Sequence, residues 1–134
     1  MTGGQMFALG KILKKPPLFK ISLAEWSLNR HIRDIDKPKI DHLDFAKMAR
    51  QEGIDAVEYV NLMFMDKAKD KKYLKEMKTR ADGEGVESLL IMCGREGKLG
   101  EKDKKLRREA VENHYKWVDC LLYTSDAADD DRSV

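Results

Sequence analysis

The sequence predicts an α/β fold of alternating strands and helices around a parallel sheet, and three observations predict it. Strand-like stretches begin at Phe19, Ala56 and Val86, each followed by apolar residues at helical spacing. The third strand carries four successive apolar residues, Leu89-Leu90-Ile91-Met92, as suits a strand covered on both faces by helices. The strand starts lie about 30 to 37 residues apart, the length of one β/α unit in an eight-unit barrel of ~250 residues.

Taken in order, Phe19-Lys20-Ile21-Ser22-Leu23 alternates apolar and polar after the Pro16-Pro17 stop, as a strand with one buried face does. Ala24 to Asn29 reads as a loop. Asp41 or Asp44 is placed to cap a first helix with Leu43, Ala46 and Ala49 on one face, widened by Phe45 and Met48. Gly53 ends it where a left-handed residue is expected. Ala56-Val57-Glu58-Tyr59-Val60 is the second strand, rich in β-branched and aromatic residues. Asp70 opens a second helix with Tyr73, Leu74, Met77 and Ala81 on its apolar face, ended by Gly83 and Gly85. The third strand spans Val86 to Cys93. After a loop punctuated by Gly94, Gly97 and Gly100, Asp103 caps a third helix with Leu106, Ala110, Trp117 and Val118 turned inward. The order β-α-β-α-β-α and this spacing predict a partial TIM (β/α)8 barrel, its first three β/α units only, or else a small open α/β sheet that needs a partner. Three such units bury little and leave open sheet edges, through which the chain is expected to self-associate.

Composition narrows the function classes. The 26 Lys and Arg residues nearly balance the 24 Asp and Glu residues, for a formal charge of +2. That gives no electrostatic case for a nucleic acid or membrane partner. Lys11, Lys14 and Lys15 read as part of a solvated N-terminal arm, residues 1–18, and Met6-Phe7-Ala8-Leu9 is too short for a signal core. The expected compartment is the cytoplasm as written, or the periplasm if a leader precedes Met1. Cys93 and Cys120 make no disulfide framework, and no Cys/His set has zinc-like spacing.

From Cys120 the chain reads Cys-Leu-Leu-Tyr-Thr-Ser-Asp-Ala-Ala-Asp-Asp, breaking the helical pattern and leaving the Lys/Arg/Glu-rich composition before it. This order resembles, residue for residue, one reading frame of a transposase-type sequencing-library adapter. Residues 120–134 are therefore expected to be a non-native tail; an acidic native C-terminus is the other reading.

Three blocks carry a family resemblance. They are Phe19-Lys20-Ile21-Ser22-Leu23-Ala24-Glu25-Trp26-Ser27-Leu28; Leu43-Asp44-Phe45 with Gly53-Ile54-Asp55-Ala56-Val57-Glu58-Tyr59-Val60-Asn61; and Gly85-Val86-Glu87-Ser88-Leu89-Leu90-Ile91-Met92-Cys93. Phe19 to Val118, about three quarters of the chain, resembles the xylose-isomerase-like TIM-barrel family of sugar-phosphate isomerases and epimerases. The Gly-Ile-Asp-Ala-Val-Glu block is its best marker. The resemblance implies a sugar or sugar-phosphate substrate and a divalent metal, Mn, Mg, Co or Zn. Glu, Asp and His ligands on later strands would hold that metal while carboxylates move a proton between sugar carbons. Those strands are not represented here, so no catalytic or metal-ligating residue carries over, and the chain itself is expected to be inactive.

What does carry over is the pocket rim at the C-terminal ends of the strands. Trp26, Ser27 and Asn29 follow the first strand, Glu58 and Asn61 close the second, and Cys93 closes the third. The candidate substrate-binding residues are Trp26, Glu58, Asn61 and Cys93. Trp26 is placed to stack on a sugar face or to plug the barrel mouth, and Glu58 to bond hydroxyls or pair with a cation. Asn61 is placed to bond hydroxyls or to make the turn after its strand. Cys93 reads as a small buried residue rather than a nucleophile. His31, His42 and His114 form no ligand set and read as surface or packing residues. Met63-Phe64-Met65 reads as core, or as a lid. Arg95, in a Gly-Arg-Glu-Gly turn lacking the Gly-Lys-Ser/Thr of a phosphate loop, is a lesser candidate for a substrate anion. Two further readings stay open: a barrel-type abasic-site endonuclease, and a stand-alone α/β interaction module.

Overall fold

Three aspartates start the helical segments. In the computed structural model, which describes residues 18–34 and 39–125, the carboxylates of Asp41, Asp70 and Asp103 accept from the backbone N–H groups of Leu43, Tyr73 and Leu106 at 2.9, 3.0 and 2.9 Å. Each satisfies a donor that the first helical turn leaves orphaned. Two glycines end helices. Gly53 and Gly85 adopt φ of +75° and +65°. At each, the next residue's N–H (Ile54, Val86) returns to a carbonyl five residues back (Ala49, Ala81), both at 2.9 Å. This paired closure needs a left-handed residue, which glycine adopts without a Cβ penalty. Gly83 lies within the helix, so Gly85 alone ends it.

The elements follow as β1 (Leu23–Ala24), a 3-10 turn (Glu25–Leu28), α1 (Asn29–Ile32), a 3-10 turn (His42–Asp44), α2 (Phe45–Gln51) and β2 (Ala56–Val60). Two 3-10 turns (Asn61–Met63 and Met65–Lys67), α3 (Lys71–Glu84), β3 (Glu87–Met92) and α4 (Lys104–Thr124) complete them. The chain is thus a mixed α/β fold. Its sheet has the order β1-β2-β3, parallel throughout, with Leu23 opposite Val57, Tyr59 opposite Ile91 and Val60 opposite Met92. A register shift falls between Val57 and Glu58, which pair with Ser88 and Leu90.

β1 is far shorter than the strand expected over Phe19–Leu23. Continuing its register backwards sets Ile21 opposite Asp55, where β2 has not begun, so Phe19 to Ile21 find no ladder and stay exposed. Residues 1–17 of the arm and the tail beyond Ser125 lie outside the described residues, and Leu18, the arm's last residue, is exposed.

The core lies on one side of the sheet. Phe45, Ala46 and Ala49 of α2, Leu74, Met77 and Ala81 of α3, and Trp117 and Cys120 of α4 close over Val57 and Tyr59 of β2. The α3 residues recur at three and four positions, the stripe that puts one helix face against a sheet. Phe45 is fully buried and meets Tyr59 edge-on at 5.7 Å; truncating such a side chain to Ala costs about 3–5 kcal/mol.

The expectation of cover on both faces is corrected. In β3 only Ile91 packs on the core, while Leu90 and Met92 on the opposite pleat are 41% and 46% exposed. All three larger helices lie on one side, so among the described residues the second face is open. α4 is corrected too. Ala110 and Trp117 are buried as expected, but Leu106 and Val118 are exposed. Val118 stands about 100° round the helix from Trp117, outside the stripe that Ala110, Trp117, Cys120 and Thr124 define. Nor does the helix break at Cys120: it continues to Thr124, with Cys120 and Thr124 both buried.

A candidate site at the C-terminal ends of the strands

Parallel strands bring the residues that follow them to one end of the sheet, and here buried polar side chains tie each strand end to the next. Glu25, directly after β1, is fully buried, and its Oε2 accepts from the Val60 backbone N–H at 2.8 Å. Asn61, directly after β2, is equally buried. Its Oδ1 accepts from Gly94 N at 2.8 Å and its Nδ2 donates to Gly94 O at 3.0 Å, beyond β3. The amide thus behaves as one more strand residue, extending the β2–β3 ladder where the backbone turns away. After β3, Glu96 is buried and accepts from Trp117 Nε1 at 2.7 Å and Lys116 Nζ at 2.8 Å, docking the loop on α4. Burial works to raise the Glu96 carboxyl, but those hydrogen bonds outweigh it and hold it below its ordinary range.

The other side of Glu25 faces His42. Glu25 Oε1 lies 3.2 Å from His42 Nε2, off the line of a good hydrogen bond, and neither atom has another partner. His42 Nδ1 lies 2.8 Å from the Tyr73 hydroxyl, and its ring stacks on Phe64 at 4.6 Å. Burial pushes the Glu25 carboxyl up to about 8, against the Val60 hydrogen bond that lowers it. Burial likewise takes His42 down to about 4, against the raising effect of Asp41. At neutral pH the contact therefore joins a protonated carboxyl to a neutral imidazole, not two opposite charges.

The predicted rim residues separate by role. Trp26 stands in the first turn, 42% exposed. Ser27 Oγ donates to Ala24 O at 2.7 Å and Asn29 Nδ2 to Trp26 O at 2.6 Å, so both side chains stiffen that turn. Glu58 is half-buried and accepts from Ser22 Oγ at 2.6 Å. By strand alternation it shares the open face with Leu90 and lies below the rim. Asn61 has its amide committed to Gly94. Cys93 is half-buried, with burial foremost in pushing its thiol up, away from the reactive thiolate form. Arg95 is exposed with φ of +62°. Among the histidines, His31 is exposed, His114 Nδ1 contacts Ala110 O at 2.7 Å, and His42 is the buried member of the Glu25 cluster. Phe64 is core, between His42 and Trp117.

Sequence reading passes over Glu25 and Glu96. A glutamate between Ala24 and Trp26 reads as loop, and only the tertiary fold brings His42 to it. A cleft of about 700 Å³ opens at the opposite end of the sheet, lined by Phe19, Ile21, Arg50 and Asp55 among others. It lies by the strand starts, away from the rim. Among the described residues no three His, Cys, Asp or Glu side chains converge as a metal-holding group. Nor is any helix among them long and apolar enough to cross a membrane. No protein-family model matches the chain, and no curated protein matches it.

Proposed function

We propose that residues 19–119 are the first three β/α units of a xylose-isomerase-like barrel, and that the intact protein isomerises or epimerises a sugar or sugar phosphate. One observation carries the reading. The sheet is parallel and sequential, its helices cover one face, and the other face presents the Ser22–Glu58 pair and apolar Leu90 and Met92. A barrel interior is such a face: strands curl so that it closes on itself, with polar groups near the mouth. In a doubly wound sheet that second face would lie under helices and be apolar throughout.

Trp26 then supplies an indole face at the rim for the apolar side of a sugar ring, and Glu58 an acceptor for hydroxyls from inside. Proton transfer and the divalent metal belong to later strands. The test is to read the intact gene downstream of the Val118 codon and to assay its product. Five further β/α units with Glu, Asp and His at strand ends, and interconversion of sugars abolished by a chelator, are expected. A downstream sequence without those units, or a full-length protein inert toward a panel of sugars and sugar phosphates, would reject the reading.

The exposure of Leu89, Leu90 and Met92 on an edge strand also supports a second reading, an α/β module that associates through its open sheet. A stable, stoichiometric dimer without any further barrel strands favours that one.

A further inference from the structure

We infer that Glu25 is a positioning residue: with His42 and Tyr73 it forms a buried latch that sets Trp26 against the end of β2. The inference rests on the reading of Trp26 as a sugar-stacking platform, but its test needs no sugar. Glu25 and Trp26 are consecutive in one 3-10 turn, about 120° apart around its axis; one is fully buried and the other stands at the surface. Fixing the first therefore fixes where the second projects. The Asn29–Trp26 bond holds the turn's own shape and the Ser27–Ala24 bond joins it to the end of β1, but neither reaches β2. The tie to β2 is made by Glu25, which accepts from Val60 N–H at 2.8 Å and lies 3.2 Å from His42 Nε2.

His42 is itself fixed from three directions. It follows Asp41, whose carboxylate caps the turn before α2, it stacks on Phe64, and its Nδ1 meets Tyr73 on α3. Glu25 thus closes a chain running from β1 through α2's entry to α3, while its other oxygen grips β2. A neutral carboxyl suits this task because it keeps both contacts in a dry site. Glutamine does as well, its Oε1 accepting from Val60 and its amide facing His42.

Trp26 fluorescence tests the latch. The contribution of Trp26 is isolated by subtracting the spectrum of Trp26→Phe, since the other tryptophan, Trp117, is buried. In Glu25→Leu the Trp26 emission is expected to shift to the red. Its acrylamide quenching should rise roughly two-fold, as an indole 42% exposed moves towards full exposure. Glu25→Gln is expected to restore both to the wild-type values. An unchanged Trp26 signal in Glu25→Leu, or a Glu25→Gln protein that behaves like it, overturns the inference. Should Glu25→Leu fail to fold, hydrogen exchange decides: the Val60 amide is expected to be protected in the wild type and in Glu25→Gln, and rapid exchange there overturns it. A sound latch together with a full-length protein inert toward sugars and sugar phosphates would instead count against the sugar reading alone.

Discussion

Raising the pH from about 6.5 to 8 should destabilise this fold through one buried carboxyl. Glu25 ordinarily titrates at 4.5 and here is pushed up to about 8, while His42 moves from 6.5 down to about 4. Below 4.5 an unfolded Glu25 is protonated as the folded one is, so its contribution is fully present. Above that the folded state alone retains the proton, and stability falls with pH until Glu25 ionises near 8. His42 acts in the opposite sense, because between about 4 and 6.5 only the unfolded chain binds its proton, and stability rises with pH. From 4.5 to 6.5 the two slopes cancel: unfolding turns a neutral pair into a carboxylate and an imidazolium without changing the proton count. Above 6.5 only Glu25 remains. At about 1.4 kcal/mol per pH unit the expected loss is about 2 kcal/mol by pH 8. Urea midpoints measured across this range at constant ionic strength check it. Glu25→Gln should abolish the decline, and His42→Gln should make it begin near pH 4.5. A wild-type midpoint level from 6.5 to 8, or an equal decline in Glu25→Gln, refutes the reasoning.

Other expectations come from single contacts. Gly97 has φ of +91°, and a Cβ there would sit 2.8 Å from Ala110 Cβ. Gly97→Ala should therefore cost about 2–4 kcal/mol in a denaturant titration, with Ala110→Gly in the same chain relieving the clash but not the backbone strain. Glu96→Ala leaves the buried Trp117 Nε1 without its acceptor and should lower stability by about 2–3 kcal/mol. Its Trp117 emission should change, whereas Glu96→Gln keeps most of both. Self-association through the open sheet should appear as a concentration-dependent mass in light scattering. Leu90→Lys with Met92→Lys should reduce it at little cost to the melting temperature, because both side chains are already exposed.

The amino-acid sequence by itself determined most of the local punctuation: that Asp70 and Asp103 start helices and Gly53 stops one, that Asp41 or Asp44 opens another and Gly83 or Gly85 closes one, and that Ala56–Val60 and the run through Met92 are strands; the structure chose Asp41 and Gly85. These depend on side chains meeting backbone a few residues away, so they are written in nearby letters. Only the tertiary structure decided the rest. β1 shrank to two residues because a ladder needs a partner at the same height, and the apolar run of β3 is covered on one side because the helices all lie there. The commitment of Asn61 to Gly94, and the meeting of Glu25 with His42 and Val60, join residues 17 to 35 positions apart. A buried glutamate is costly until such partners close around it, and nothing in its immediate neighbours announces that they will.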